Sequence, residues 1–320
     1  AMEIKGDTGK PWRMNKLIEY ILSFPDELSP VVNDFFEKEK ANFDDKVWWI
    51  LLYSSCYCVP TACVMYKNLD YKTLSSKELK EFWKNNKSKL IFQSDRRYIK
   101  NMDQFCDIIS EFMRRCKRKP WSYLKKYVSD NSKETYTKMY KEVSSWRYYG
   151  RFGTILFMYN VNKLLKISME SDSYDWKHGS TTTEAIFNAK YKDEKADGFK
   201  KDPKLSKQEI QKLDNTLKQI IDKLKSKAPD KNWTVLNVTS DMCSYRKLYK
   251  ASRYLGYYID RQQEEILTLQ NNYPEYTDMW ESMWESRKNS LPKEFLGELN
   301  GYVGIQKNQM TSWIERGEFR

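Results

Sequence analysis

The stretch SYRKLYKASRYLGYYIDRQQEE, Ser244 to Glu265, concentrates side chains that can do chemistry. Arg246, Lys250 and Arg253 recur along it, Tyr254 and Tyr257 fall among them, and Asp260, Arg261 and Glu264 follow. A guanidinium grips phosphate oxygens with a planar fork, and a tyrosine supplies a stacking ring with a hydroxyl at its edge. At about 100° per residue, Leu248, Leu255, Ile259 and Ile266 share one face, which predicts a core-facing stripe backed by a charged side. That side reads either as a solvated face held by pairs four residues apart or as a grip on a polyanion. The acids discriminate between the two. A surface that only bound phosphate gains nothing from Asp260 and Glu264.

Two further stretches repeat the theme. In SSWRYYGRFGTILF, Arg147 and Arg151 stand four apart, so a helix would give them one face, with Tyr148 and Tyr149 between. Gly150 and Gly153 there permit close backbone approach by a neighbouring helix or a ligand. In DWKHGSTTTEAIF, Ser180, Thr181 and Thr182 precede a helix expected to begin near Glu184. Hydroxyls and open backbone N–H groups at a helix start make an anion site, although one of the threonines could simply be an N-cap. His178 is the chain's single histidine, so it reads as a lone acid/base or phosphate contact, or as a surface loop residue.

Long helices must position these residues. The 320 residues carry 11 Gly and 9 Pro, few enough breakers to favour helices over a many-turned β fold. The expected fold is mainly α, a compact multi-helix domain with a charged helical insertion. The parts are a helical core over 2–191, a lysine-rich insertion or lid over 192–232, and the rest of the core over 233–320. WRMNKLIEYILSF reads as a short amphipathic helix ended by PDELSP. NFDDKVWWILLYSSCYCVPTACVMY is apolar all round, a buried helix capped by Asn42 or Asp44 and broken near Pro60. Ser75 or Ser76 with Glu78 forms a capping-box pattern. Helical spacing continues to a basic cluster, Arg114 to Lys119, then through a segment jointed near Gly150, and Leu205 to Lys227 reads as an exposed amphipathic helix.

A net charge of +12, with 23 Tyr and 11 Trp, points to nucleic acid or another polyphosphate as partner. Cys56, Cys58 and Cys63 lie close together, but neither their spacing nor a lone histidine suits zinc, so buried thiols are expected and no metal site is assigned. No signal-peptide pattern or membrane-length apolar run occurs, which predicts a cytosolic chain with reduced thiols. Walker, Rossmann, HExxH and GxSxG motifs are all missing.

The order WRYYGRFGTILF, DWKHGSTTTEAIFNA, CSYRKLYKASRYLGYYIDRQQEE resembles the amino acid:DNA transferases of bacteriophages, also described as α-glutamyl/putrescinyl thymine pyrophosphorylases. The resemblance spans roughly Asp44 to Leu299, and the lysine-rich segment near Lys192 to Lys231 departs from it. It implies a transferase acting on double-stranded phage DNA in the cytoplasm of the infected bacterial host. An amino acid or polyamine would displace phosphate or diphosphate from a phosphorylated 5-hydroxymethyluracil, giving a hypermodified thymine, with no organic cofactor and no membrane. Such chemistry asks for stacking rings to hold a flipped base, and Tyr149, Trp176, Tyr254 and Tyr257 are the expected rings. The leaving phosphate asks for donors aimed at developing charge, for which Arg147, Arg151, Arg246, Lys250, Arg253 and the Ser180–Thr182 loop are expected. Asp260, Glu264, His178 or Asp175 would take the amine proton. Arg261 or Arg287 would hold an amino-acid carboxylate. Competing readings are a non-catalytic helical nucleic-acid binder, a helical DNA glycosylase or lyase, and a basic protein scaffold. The Gly301 and Gly304 spacing fits a DNA-backbone hairpin poorly, which weakens the glycosylase reading.

Overall fold

The computed structural model describes residues 11–23, 26–176, 186, 205–249, 257–293 and 296. The described residues form fourteen α-helices and no strand, an all-α fold as the scarcity of breakers predicts. The chain divides into two compact units, one of residues 1–25, 170–257 and 300–320, the other of 26–169 and 258–299.

The second unit is built around helix α3 (Phe43–Cys56), which follows α1 (Pro11–Ser23) and α2 (Ser29–Lys38). The side chain of Asn42 accepts from the Asp45 amide at 3.0 Å and Asp45 accepts from the Asn42 amide at 3.0 Å, so α3 starts on a reciprocal capping box. Such a cap is worth about 1 kcal/mol. From Val47 to Cys56 every residue of α3 is buried, which explains the all-round apolar sequence. Trp48 donates from Nε1 to the Leu69 carbonyl at 2.8 Å, pinning α3 to the end of α4 (Val59–Asn68). Tyr57 stops α3 in the left-handed region (φ 56°) and Pro60 sits in the first turn of α4, so the expected break falls at a two-residue joint.

Helix α5 (Ser76–Asn86) starts on the expected Ser75–Glu78 capping box. A short 3-10 turn, Ser94–Arg96, leads into α6 (Arg97–Asn101), α7 (Phe105–Cys116) and α8 (Pro120–Leu124). After α9 (Ser132–Val143), the joint near Gly150 gives way to α10 (Arg151–Leu165). Helices α4, α8 and α10 all pack on α3. In the first unit, α11 (Lys207–Lys227) buries Leu213, Leu217, Ile220 and Leu224 along one edge and packs with α1 and α12 (Val235–Tyr249). The rings of Tyr20 and Tyr245 meet at 5.4 Å between α1 and α12. Helices α13 (Tyr257–Asn272) and α14 (Thr277–Ser290) complete the series, and α14 packs on α2.

All six cysteines are free, and burial raises the Cys56 and Cys63 thiols far above their ordinary range. No helix among the described residues is long and apolar enough to cross a membrane.

Candidate functional site

Four segments of the second unit converge: the joint at Cys56–Cys58, the turn Gln93–Arg96, the start of α10, and the first half of α13. Gln93 ties the first two, its amide donating to the Cys56 carbonyl at 3.0 Å. Its side-chain nitrogen donates to Glu265, which is 4 % exposed. Burial holds the Glu265 carboxyl above its ordinary range, although Arg261, Gln93 and Cys58 each pull it down. Arg261 lies four residues earlier, its Nε 3.3 Å from Glu265 Oε1. Its guanidinium carbon stands 4.7 Å from the Tyr57 ring centroid and 5.1 Å from that of Tyr258. Burial opposes the Arg261 charge, but Glu265 and the Tyr57 hydroxyl more than offset that, so Arg261 stays a cation. The result is a guanidinium framed by two phenol rings beside a buried carboxylate.

Arg96 forms the second focus. It is 2 % exposed, and its guanidinium lies 5.1 Å from the Tyr149 ring centroid. Its Nη1 donates to the Tyr98 hydroxyl at 3.2 Å and to the Tyr148 carbonyl at 3.4 Å. Tyr148 takes φ 61°, a conformation that costs about 1–2 kcal/mol for a side chain with a Cβ. That backbone presents the carbonyl shared by Arg96 and by the Tyr98 hydroxyl at 3.1 Å. Gly153 makes room: a Cβ there would stand 3.0 Å from Arg96 Nη1 and 3.2 Å from Nη2. Its value is close approach, as the sequence predicts, but what approaches is an arginine side chain. The two foci join where Phe152 meets the Tyr57 ring at 5.5 Å.

Several sequence expectations are corrected here. Arg147 and Arg151 do not share a helix face, because the left-handed Tyr148 and the extended Gly150 break the chain between them. Arg147 sits in the turn, exposed, with Nη1 3.2 Å from Asp107. Tyr149 offers no stacking face: it is 2 % exposed, and its hydroxyl meets Ser54 Oγ at 2.5 Å. Trp176 is likewise buried in the first unit, donating to Asp214 Oδ1 at 2.7 Å, a contact it shares with Ser173 Oγ at 2.8 Å. Asp260 does not lie on an exposed charged side; it is fully buried beside Ile259. Arg287 is buried too, joining α14 to α13 through Gln262 and, at 3.2 Å, the Ile259 carbonyl. Burial pulls its guanidinium down to about 10. Arg287 is thus an internal tie, and α13 is held from a second side, where Gln262 donates to the Glu27 carbonyl at 2.8 Å.

Glu264, Asp175, Arg246, Tyr257 and Arg151 are half-buried. His178, Ser180, Thr181, Thr182, Lys250, Arg253 and Tyr254 lie outside the described residues. The sequence reading missed Arg96, Glu265, Tyr57 and Gln93. Glu265 had a local signal, four residues after Arg261. The basic cluster Arg114–Lys119 borders an open groove of about 510 Å³ over Leu79, Ile109 and Met113. Arg118 is committed there, donating to the Tyr71 and Leu74 carbonyls at 3.0 Å each. Among the described residues no group of three or more His, Cys, Asp or Glu is placed to hold a metal ion.

The described residues thus build an all-α frame that sets two guanidinium groups against phenol rings. The family model of the amino acid:DNA transferases matches residues 26–254, and the chain belongs to that family. The match covers Tyr57, Gln93, Arg96 and the start of α10, and ends before α13. No curated protein and no solved structure matches the chain significantly.

Proposed function

We propose that this transferase joins an amine to a thymine-derived base in DNA. The amine, from an amino acid or a polyamine, attacks the methylene carbon of a 5-(phosphomethyl) or 5-(pyrophosphomethyl) uracil. The new C–N bond forms as the C–O bond breaks, and the leaving phosphate or diphosphate takes the electron pair. The nitrogen must also shed a proton. Duplex phage DNA is the substrate this reading fits, acted on in the cytoplasm of the host cell.

The observation that carries the reading is the Arg261–Glu265 pair framed by Tyr57 and Tyr258. A carboxylate lifted above its ordinary range by burial accepts an amine proton near neutral pH better than an exposed one. A cation held by rings in a dry setting stabilises charge developing on a leaving oxyanion. Glu264 and Arg151, both half-buried, remain supporting groups. Arg246, Tyr257, Asp175, His178, Lys250, Arg253, Tyr254 and the Ser180–Thr182 loop are further groups for DNA or amine contact.

The test incubates the protein with DNA carrying either activated base and a mixture of amino acids and polyamines. The DNA is then digested to nucleosides and weighed by mass spectrometry. A nucleoside with its phosphate replaced by an amine is the expected product. Unchanged nucleosides with DNA still bound would overturn the transfer chemistry.

A further inference from the structure

Arg96 presents an arrangement that the reaction above does not assign. Its Nη1 side is occupied by the Tyr98 hydroxyl and the Tyr148 carbonyl. Its Nε and Nη2 are buried with no acceptor among the described residues. These two nitrogens form one edge of the guanidinium and offer parallel donors, the geometry that grips two oxygens of one oxyanion. Leaving such donors buried and unmatched is unfavourable, which is why buried guanidinium groups are ordinarily paired.

The guanidinium also lies against the start of a helix. Gly153, the third residue of α10, faces it. That fifteen-residue helix has no side-chain cap on Gly150 and no acidic residue in its first turn. Open amides and the positive end of a helix dipole favour an anion at the same spot. Tyr98, on the Nη1 side, and Phe152, next to Gly153, are both about two-fifths exposed, so the cluster lies just beneath the surface.

We infer that Arg96 and the amino-terminal turn of α10 form an oxyanion subsite that takes the phosphate or the carboxylate group of a substrate. Naming those two sources rests on the transfer reading, while the subsite itself rests on Arg96 and α10. The Nε–Nη2 edge holds the anion side-on, and the Tyr148 carbonyl and Tyr98 hydroxyl fix the opposite edge so that the fork stays aimed. Glycine at 153 lets the guanidinium sit flush on the helix.

The test is isothermal titration calorimetry of the full chain without DNA. The probes are inorganic phosphate, pyrophosphate, glycine and glutamate, with putrescine as a ligand lacking any oxyanion. The wild-type protein is expected to bind at least one oxyanion, and R96M to bind it about ten- to a hundredfold more weakly, the loss of a charge-assisted pair. R96K, which keeps the charge without the fork, should fall between. G153A displaces the guanidinium without removing it and serves if R96M fails to fold. Phosphate or pyrophosphate binding that depends on Arg96 assigns the subsite to the leaving group. Glycine or glutamate binding with that dependence, and none by putrescine, assigns it to the amino acid. No binding by the wild type up to millimolar probe, or equal binding by wild type, R96M and G153A, overturns the inference. Because no DNA is present, failure of base transfer leaves this result standing, and the reverse also holds.

Discussion

Replacing Gly153 by alanine isolates the contact on which the Arg96 cluster depends. In an ordinary helix interior, glycine to alanine stabilises by about 0.5–1 kcal/mol. Here the three nearest atoms to the new methyl all belong to the Arg96 guanidinium, at 3.0, 3.2 and 3.3 Å. These are tighter than ordinary contacts, so the guanidinium must retreat by a few tenths of an ångström. The Tyr149 ring and the Tyr148 carbonyl limit its retreat on two sides. Overfilling a packed site costs about 1–3 kcal/mol. The balance predicts that G153A destabilises by about 1 kcal/mol. In an R96A background nothing opposes the methyl, and the same change should stabilise by about 0.5–1 kcal/mol. The coupling is therefore about 1.5–2 kcal/mol, well inside what a double-mutant cycle resolves. Urea denaturation of the four proteins measures it. A coupling below about 0.5 kcal/mol would refute the reasoning, because the methyl and the guanidinium would then not compete for the same space.

Other expectations follow from single contacts. D214A strips the acceptor from Trp176 Nε1 and Ser173 Oγ and should destabilise by about 2–3 kcal/mol, measured by urea denaturation with tryptophan fluorescence. Y149F should cost only about 1 kcal/mol in the same assay, because Ser54 Oγ keeps its bond to the Leu51 carbonyl at 3.0 Å. Asp26 shows in the acid limb. Burial pushes its carboxyl up, yet Lys163 at 3.0 Å and the Ser29 amide outweigh that, and the net displacement is downward. A depressed carboxyl contributes stability above its unfolded value near 4 and loses it as pH falls through the folded value. D26N should therefore flatten the stability loss below about pH 4 and leave the profile above it parallel to wild type.

Local rules made much of the fold legible and little of the site. Asn42, Ser75, Pro60 and Gly150 mark ends and joints through chemistry that acts over three or four residues. The all-round apolar α3 can only be central. Helix α13 misleads because a helical wheel assumes one buried face. Ile259 and Ile266 mark that face, but Glu27, Gln93, Tyr57 and Arg287 reach α13 from other directions and bury Asp260, Gln262 and Glu265 as well. Nothing near Arg96 in SDRRYIK distinguishes it from Arg97 beside it, which is exposed. Its significance comes from Tyr148, Tyr149 and Gly153, which only folding brings alongside.

The placement of charge separates two tasks that the bulk value of +12 merges. Arg147, whose side chain is 60 % exposed and paired with a half-exposed Asp107, sits in solvent where added salt screens it within about 8–10 Å. Arg96 is 2 % exposed and the Arg261 side chain 14 %, so salt screens them far less. If the surface cations gather the DNA and the buried ones handle the reacting groups, ionic strength should act on them differently. Raising salt from 50 to 200 mM should weaken DNA binding steeply, in proportion to the phosphates contacted. Oxyanion binding measured without DNA should change far less over the same range. Parallel losses would mean that the small anion and the DNA backbone are held by the same exposed cations, and the division between surface and interior would fall.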